Sequence, residues 1–404
     1  MTLEAEPLNT YRASCHATSG DPPEDIFDPR HYARARLPAS EAETLPSWCY
    51  TSPAFHRREV ERLFLPGWNC VGRAERWASP GDYAAFELVG VPVLVLRGRD
   101  GALRAFANTC RHRGSRLLDG EGKCRAIKCP YHGWVYDLDG RLVGAPDMEE
   151  SLGFARDDYG LVPIRLETWD GFAFITLDAN APGLLDYLGD CPAIHAPYGL
   201  ADMGCVRRRE FEIACNWKLY PEVSMEYYHL KSAHPRSIAP SFHDPDPPDR
   251  VAGQFATVFG LTDGSVALMA GQGHKGFPVI ETLAGRLRRG TRYSLIYPGS
   301  ILCCTTDAMW FFESYPLGPE RTKLAVSFCF PRKTIERRDF AQVVEGYYER
   351  WDRAIEEDNA VLERQQRGLA SPLSRAGRLS HLEAVVGIFG KWIVERVIGA
   401  DSQG

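Results

Sequence analysis

No stretch of this 404-residue chain is long and apolar enough to cross a membrane, which sets aside a transmembrane role. No basic run is present either. Lys and Arg (47) and Asp and Glu (53) are spread along the chain, the formal net charge is -6, and nucleic acid is not an expected partner. Internal repeats and low-complexity tracts are missing, so a repeat architecture is not expected. The opening residues 1–25 are acidic and lack the apolar core of a secretory leader. That predicts a cytoplasmic protein with reduced thiols, some of its twelve cysteines serving as metal ligands. What is present is an ordinary globular composition, 44% hydrophobic and 25% charged, with length for two or three domains.

The texture changes along the chain and predicts an α+β protein. Residues 1–45 are polar and read as a loose arm with one short helix. Residues 46–165 read as a small antiparallel β-domain. Val91–Leu96 and Ala102–Ala107 are strands joined at Arg99-Asp-Gly101, and Trp134–Leu142 repeats the pattern around Asp139-Gly140. Residues 166–400 mix strands (171–177, 291–300, 308–316 and 323–330) with helices over 339–367 and 379–398, predicting one antiparallel sheet covered by helices.

Two clusters of metal-ligating side chains stand out. In the first, Cys110-Arg-His112 and Cys129-Pro-Tyr-His132 are separated by sixteen residues. Two thiolates and two imidazoles could bind zinc, but zinc fingers tend to pair like with like. Here each loop mixes one Cys with one His, which suits a two-iron cluster with Cys on one iron and His on the other. Gly114 and Gly133 give each loop freedom to wrap a cluster, and Pro130 stiffens the second. The other ten cysteines show no paired spacing and read as small buried hydrophobes, with Cys303 and Cys304 on opposite faces of a strand.

The second cluster lies in Asn216–Pro235. Glu222, Glu226 and His229 fall at i, i+4 and i+7, one face of a helix. His234 is about 140° further round an ideal helix, so the helix must end or distort between the two histidines, and Pro235 favours a stop. His-x4-His alone is a weak motif that two surface histidines would also satisfy. Asp358 strengthens it. It sits in the apolar stripe Phe340, Val343, Val344, Tyr347, Trp351, Ile355 and Leu362, while Glu356 and Glu357 point elsewhere. A carboxylate on a buried face needs a cationic partner or a metal. Two His and one Asp make the facial triad of O₂-activating Fe(II) sites.

At these residues the chain resembles the Rieske non-haem iron oxygenases. Cys-x-His-Arg-Gly and Cys-Pro-Tyr-His-Gly-Trp resemble the Rieske [2Fe–2S] domain. Asn216-Trp-Lys218 with Glu226-x2-His229-x4-His234-Pro235 resembles the catalytic motif, and residues 357–366 resemble the carboxylate-ligand helix. The likeness covers nearly everything after residue 45. It implies a Rieske domain followed by a helix-grip catalytic domain, assembled as a homotrimer. It also implies roles. Cys110 and Cys129 would bind one cluster iron, His112 and His132 the other. His229, His234 and Asp358 would bind a mononuclear Fe(II). Glu226 would bridge His229 to a cluster histidine of a neighbouring subunit. One departure is Val223, where many members carry Asn after the first Glu.

Glu rather than Asp at position 226, and the closing segment Gly377-Arg-Leu-Ser380 with Glu383, Phe389 and Trp392, resemble the choline, glycine-betaine and carnitine oxygenase branch. That implies hydroxylation at an N-methyl group or adjacent carbon of a quaternary amine, with hydroxylation of an aromatic ring or acid as the alternative. Tyr220, Tyr227, Tyr228, Tyr297, Trp310, Phe311 and Phe312 are candidates for a cation cage or for ordinary core. A Rieske electron carrier without chemistry of its own would not need Asp358 or the second motif. Gly271-Gln-Gly-His-Lys-Gly276 matches a dinucleotide fingerprint, but Pro278 opposes the helix it requires and no acid follows at a suitable distance. With no flavin or nicotinamide site evident, a separate NAD(P)H-dependent reductase is the expected electron donor.

Overall fold

The computed structural model describes residues 23–399. Strand alternation explains the first half. Along Val91–Arg97, Leu94 and Leu96 point into the cluster beneath Cys110, Cys129 and Trp134, while Val93 and Val95 point into a second cluster around Trp77 and Ala173. The strand is therefore apolar on both sides and lies inside a seven-stranded sheet. A separate three-stranded sheet, Ile127–Lys128, Val135–Tyr136 and Leu142–Gly144, carries the second metal loop. Strand Phe172–Thr176 pairs antiparallel with Asn69–Arg73 and Pro163–Trp169, so the first sheet continues past residue 165. A local pattern predicts a strand there, but pairing decides which sheet owns it.

The second half is one six-stranded antiparallel sheet in the order Met203–Ile213, Arg321–Pro331, Met309–Gly318, Ser300–Cys304, Gly290–Ile296, Phe255–Leu261. Cys303 and Cys304 do face opposite sides, each wholly buried in a different core cluster. The helix Phe340–Leu369 covers one face, its stripe anchored where Trp351 stacks on Phe328 with ring centroids 4.3 Å apart. The last helix starts at a capping box, Ser380 with Glu383, and runs from Ala384 to Val397.

The expectation of a loose arm does not hold for its described part. Tyr32 is fully buried, its hydroxyl donates to the Ile26 carbonyl at 2.5 Å, and Ala35 and Leu45 join the core under the second sheet. Polar composition hid three well-spaced apolar anchors. Residues 1–22 of that expected arm lie outside the described residues. Among the described residues, no helix is long and apolar enough to cross a membrane.

Candidate metal centres and active site

The two loops of the first centre are built alike. Gly114 N–H donates to the Cys110 carbonyl (3.0 Å) and Cys110 N–H to Ser115 (2.8 Å). Gly133 N–H donates to the Cys129 carbonyl (3.2 Å) and Cys129 N–H to Trp134 (2.7 Å). Both glycines sit at φ +73°, which a side chain would strain, so each loop turns tightly around its ligand pair. Cys110 and Cys129 are buried, whereas His112 and His132 are exposed, their ring centroids 4.6 Å apart. Trp134 stacks under His112 at 4.9 Å. The Cys110 sulfur lies 3.3 Å from the Tyr136 hydroxyl. Burial works to raise the Cys129 thiol, but backbone N–H groups of Tyr131 and His132, with the Cys110 and Ser115 side chains, more than offset it and hold it below its ordinary value. Desolvation, with the neighbouring His112 and Arg113, holds His132 low as well. A thiolate and a neutral imidazole are the forms that bind metal. Two buried sulfurs within and two exposed imidazoles without fit a Rieske cluster, one iron turned inward and the other outward.

At the second centre the ligating atoms of His229, His234 and Asp358 lie within 4.8 Å of one another. Asp358 Oδ1 is 2.8 Å from His234 Nε2 and 3.8 Å from His229 Nε2. Each histidine is oriented from behind by a different carboxylate. Glu226 Oε1 is 2.5 Å from His229 Nδ1, and Glu357 Oε2 is 2.7 Å from His234 Nδ1. A carboxylate at Nδ1 selects the tautomer with the proton there and leaves Nε2 free to bind metal. Both free Nε2 atoms and Asp358 face one point, so the donor set fits a mononuclear iron with positions left open.

The route to this geometry departs from the spacing argument in two ways. The single helical face expected through Glu222, Glu226 and His229 does not exist. Helix Leu219–Ser224 stops, a turn follows, and a short second helix runs Leu230–Ala233 before His234. Glu226 lies in the turn between them and accepts the backbone N–H groups of Tyr228 and His229, the latter at 3.1 Å, which holds the chain in a turn where a continuous helix would run. Glu222 is left outside the site, where it accepts the Tyr50 hydroxyl at 2.7 Å. Glu357, read as pointing elsewhere, is the partner of His234 and also accepts the Ser237 hydroxyl at 2.7 Å. The available signal was its position seven residues after Arg350 and fourteen after Val343, a row beside the one holding Trp351 and Asp358.

The triad opens onto a cavity of about 580 Å³, including its mouth. Tyr227, Trp310 and Phe312 line it as the aromatic reading allowed, with Tyr293, Phe328 and Trp351 added. The remaining candidates go elsewhere. Tyr228 is exposed, Phe311 belongs to the core on the far side of the sheet, Tyr297 stacks on Trp392 at 4.3 Å, and Tyr220 packs behind Phe312. Arg350, which no spacing singled out, also lines the cavity. The closing segment lies close by, with Tyr227 N–H donating to the Leu382 carbonyl at 3.2 Å. The glycine-rich segment 271–276 forms a turn with a short 3-10 piece, Gly273–Lys275, instead of opening a helix.

A cysteine/histidine loop pair in the β-rich first half, one loop from each of its two sheets, and a two-histidine, one-aspartate group beside a helix-covered sheet are the marks of a two-centre iron oxygenase. Comparison with known proteins agrees. A family described as the Rieske [2Fe-2S] domain matches residues 67–168, and one described as the ring hydroxylating alpha subunit (catalytic domain) matches residues 200–399. Glycine betaine monooxygenase oxygenase subunit of Pseudomonas aeruginosa is 30% identical over 410 residues, covering 93% of this chain and 94% of that one. Chloroplastic choline monooxygenase of Atriplex hortensis is 30% identical over 348 residues, covering 85% and 75%. The solved structure of a quaternary ammonium Rieske monooxygenase, described in terms of carnitine oxidation, superposes with a TM-score of 0.77 at 27% identity, covering 91% and 98%. The chain belongs to the Rieske non-haem iron oxygenase family, as an oxygenase component with a Rieske [2Fe–2S] domain and a mononuclear-iron catalytic domain.

Proposed function

We propose that this protein hydroxylates an N-methyl group or adjacent carbon of a quaternary amine. The observation that carries the reading is the aromatic cavity over the His229–His234–Asp358 triad, in a chain similar to choline and glycine betaine monooxygenases. Aromatic faces attract a quaternary ammonium without demanding a buried acid. Hydroxylating the methyl group gives an N-hydroxymethyl product, which releases formaldehyde and leaves a tertiary amine; attack on the adjacent carbon cleaves a C–N bond. The reaction consumes O₂, two electrons and two protons, with water as the second product.

In this reading Cys110 and Cys129 hold one cluster iron and His112 and His132 the other, while His229, His234 and Asp358 hold the mononuclear iron. When bound, the cluster supplies single electrons and the mononuclear iron activates O₂. The residues do the rest. Glu226 and Glu357 keep the imidazoles aligned, and the apolar walls position the methyl group and exclude water. Glu226 also offers its carboxylate to a cluster histidine of a neighbouring subunit in a homotrimer, a reading supported by the exposure of His112 and His132. Electrons come from a separate NAD(P)H-dependent reductase in the cytoplasm.

The test is product analysis of the iron-loaded protein with a surrogate reductase, offering betaines, carnitine and choline beside benzoate-type acids. Formaldehyde or an aldehyde fragment from a quaternary amine is expected. A hydroxylated ring, with no turnover of any quaternary amine, would overturn the substrate class.

A further inference from the structure

Arg350 is a buried cation in a cavity lined mainly by aromatic and aliphatic side chains. It lies on the long helix, two turns before Asp358, and only 4% of it is exposed. Arg350 is one of the residues that line the cavity, and its guanidinium carbon sits 5.0 Å from the Trp310 ring centroid. The Tyr293 side chain lines the cavity beside it, and the Arg350 Nε has no hydrogen-bond partner. Among the described residues, no carboxylate lies within ion-pairing distance of it, and Asp358 acts on it only through space. Burial pushes its pKa below the usual arginine value, yet a guanidinium stays charged at any working pH.

A buried cation without an acid is expensive, and a face-on ring recovers only part of that cost. The planar fork of donors suits one class of ligand, a carboxylate or similar oxyanion gripped through two hydrogen bonds. A cation in the wall also works against a substrate whose only charge is positive. We propose that Arg350 is the seat for a substrate carboxylate, making the substrate of this enzyme a zwitterion, a quaternary amine that also carries an acid group, and excluding simple cationic alcohols. The ammonium end then lies toward the triad among Tyr227, Phe312 and Trp351, and the acid end lies along the helix at Arg350. This builds on the quaternary-amine reading above and adds the second recognition point.

The experiment compares matched pairs on the holoenzyme, a trimethylammonium carboxylate against its methyl ester and choline. Binding is read by calorimetry and tryptophan fluorescence, and turnover by O₂ uptake and formaldehyde. The wild type should bind the acid about 100-fold more tightly than the ester. Arg350→Met should remove that preference by weakening the acid about 100-fold while moving the ester less than about threefold, and Arg350→Lys should keep part of it. Equal binding of acid and ester by the wild type, which requires no variant to fold, would overturn the proposal. So would an Arg350→Met protein that still prefers the acid. The two readings fail separately. Demethylation of choline and betaine esters as fast as acids would sink the carboxylate seat and keep the quaternary-amine function. Ring acids turned over with the same dependence on Arg350 would keep the seat and sink the quaternary amine.

Discussion

Two carboxylates at the histidines proposed to bind iron have the same contact and different tasks. Glu226 and Glu357 each meet an Nδ1 atom, but Glu357 is also tied to Ser237 within the chain, while Glu226 sits in a turn at the edge of the triad. Glu357→Ala should weaken iron binding by about 10- to 100-fold, measured as iron retained during chelator dialysis, because His234 loses its orienting acceptor. Unchanged retention would show that packing alone orients the ring. Glu226→Gln should keep both metals by iron and sulfide analysis yet lose most turnover, since it interrupts coupling between the centres. Normal activity in that variant would rule the bridge out.

At the scale of elements, the segment Asn216–Ser224 positions the triad through buried polar contacts. Lys218 and Glu59 are both fully buried, with Nζ to Oε1 at 2.6 Å, and the Trp217 indole donates to the same carboxylate at 3.1 Å. Lys218→Met should lower unfolding stability by about 3–5 kcal/mol in urea titrations, because Glu59 is left charged and unpaired. A loss below about 1 kcal/mol would mean that Glu59 protonates or finds water instead. Glu222 adds a pH dependence. Burial pushes its carboxyl from an ordinary 4.5 up to about 7, with the Tyr50 hydroxyl and Lys218 pulling the other way. The folded chain therefore holds this proton more tightly than the unfolded one. Its contribution is full below pH 4.5, falls as pH rises, and is lost above about 7. Glu222→Gln should flatten a decline of about 3 kcal/mol between pH 5 and pH 8. An identical pH slope in the variant would remove Glu222 as its source.

For the whole molecule, the proposed trimer makes a prediction that no single chain satisfies. Co-expressing a His132→Ala chain with a His234→Ala chain should recover activity that neither has alone, since one supplies the cluster and its neighbour the catalytic site. No recovery in purified hybrid trimers would confine coupling to one chain. Much of the architecture was readable beforehand because it follows from short-range periodicity. The continuous apolar run of Val91–Arg97, buried on both faces, and the one-sided stripe of the helix carrying Trp351 each ask for burial whatever the neighbours are. The candidate metal ligands were readable for a related reason where Cys110–His112 and Cys129–His132 lie within loops whose spacing constrains geometry, while His229 and His234 flank a short helix, Leu230–Ala233, whose start the spacing did not give. Residues whose roles depend on a distant partner were not readable. Glu357 matters because His234 arrives beside it from another element, Glu222 turns away to accept the Tyr50 hydroxyl, and Arg350 lines a cavity formed only when the helix meets the sheet. Local pattern settles which faces are apolar and which loops can hold a metal, while packing decides what each buried charge confronts, because that depends on contacts between residues far apart in the chain.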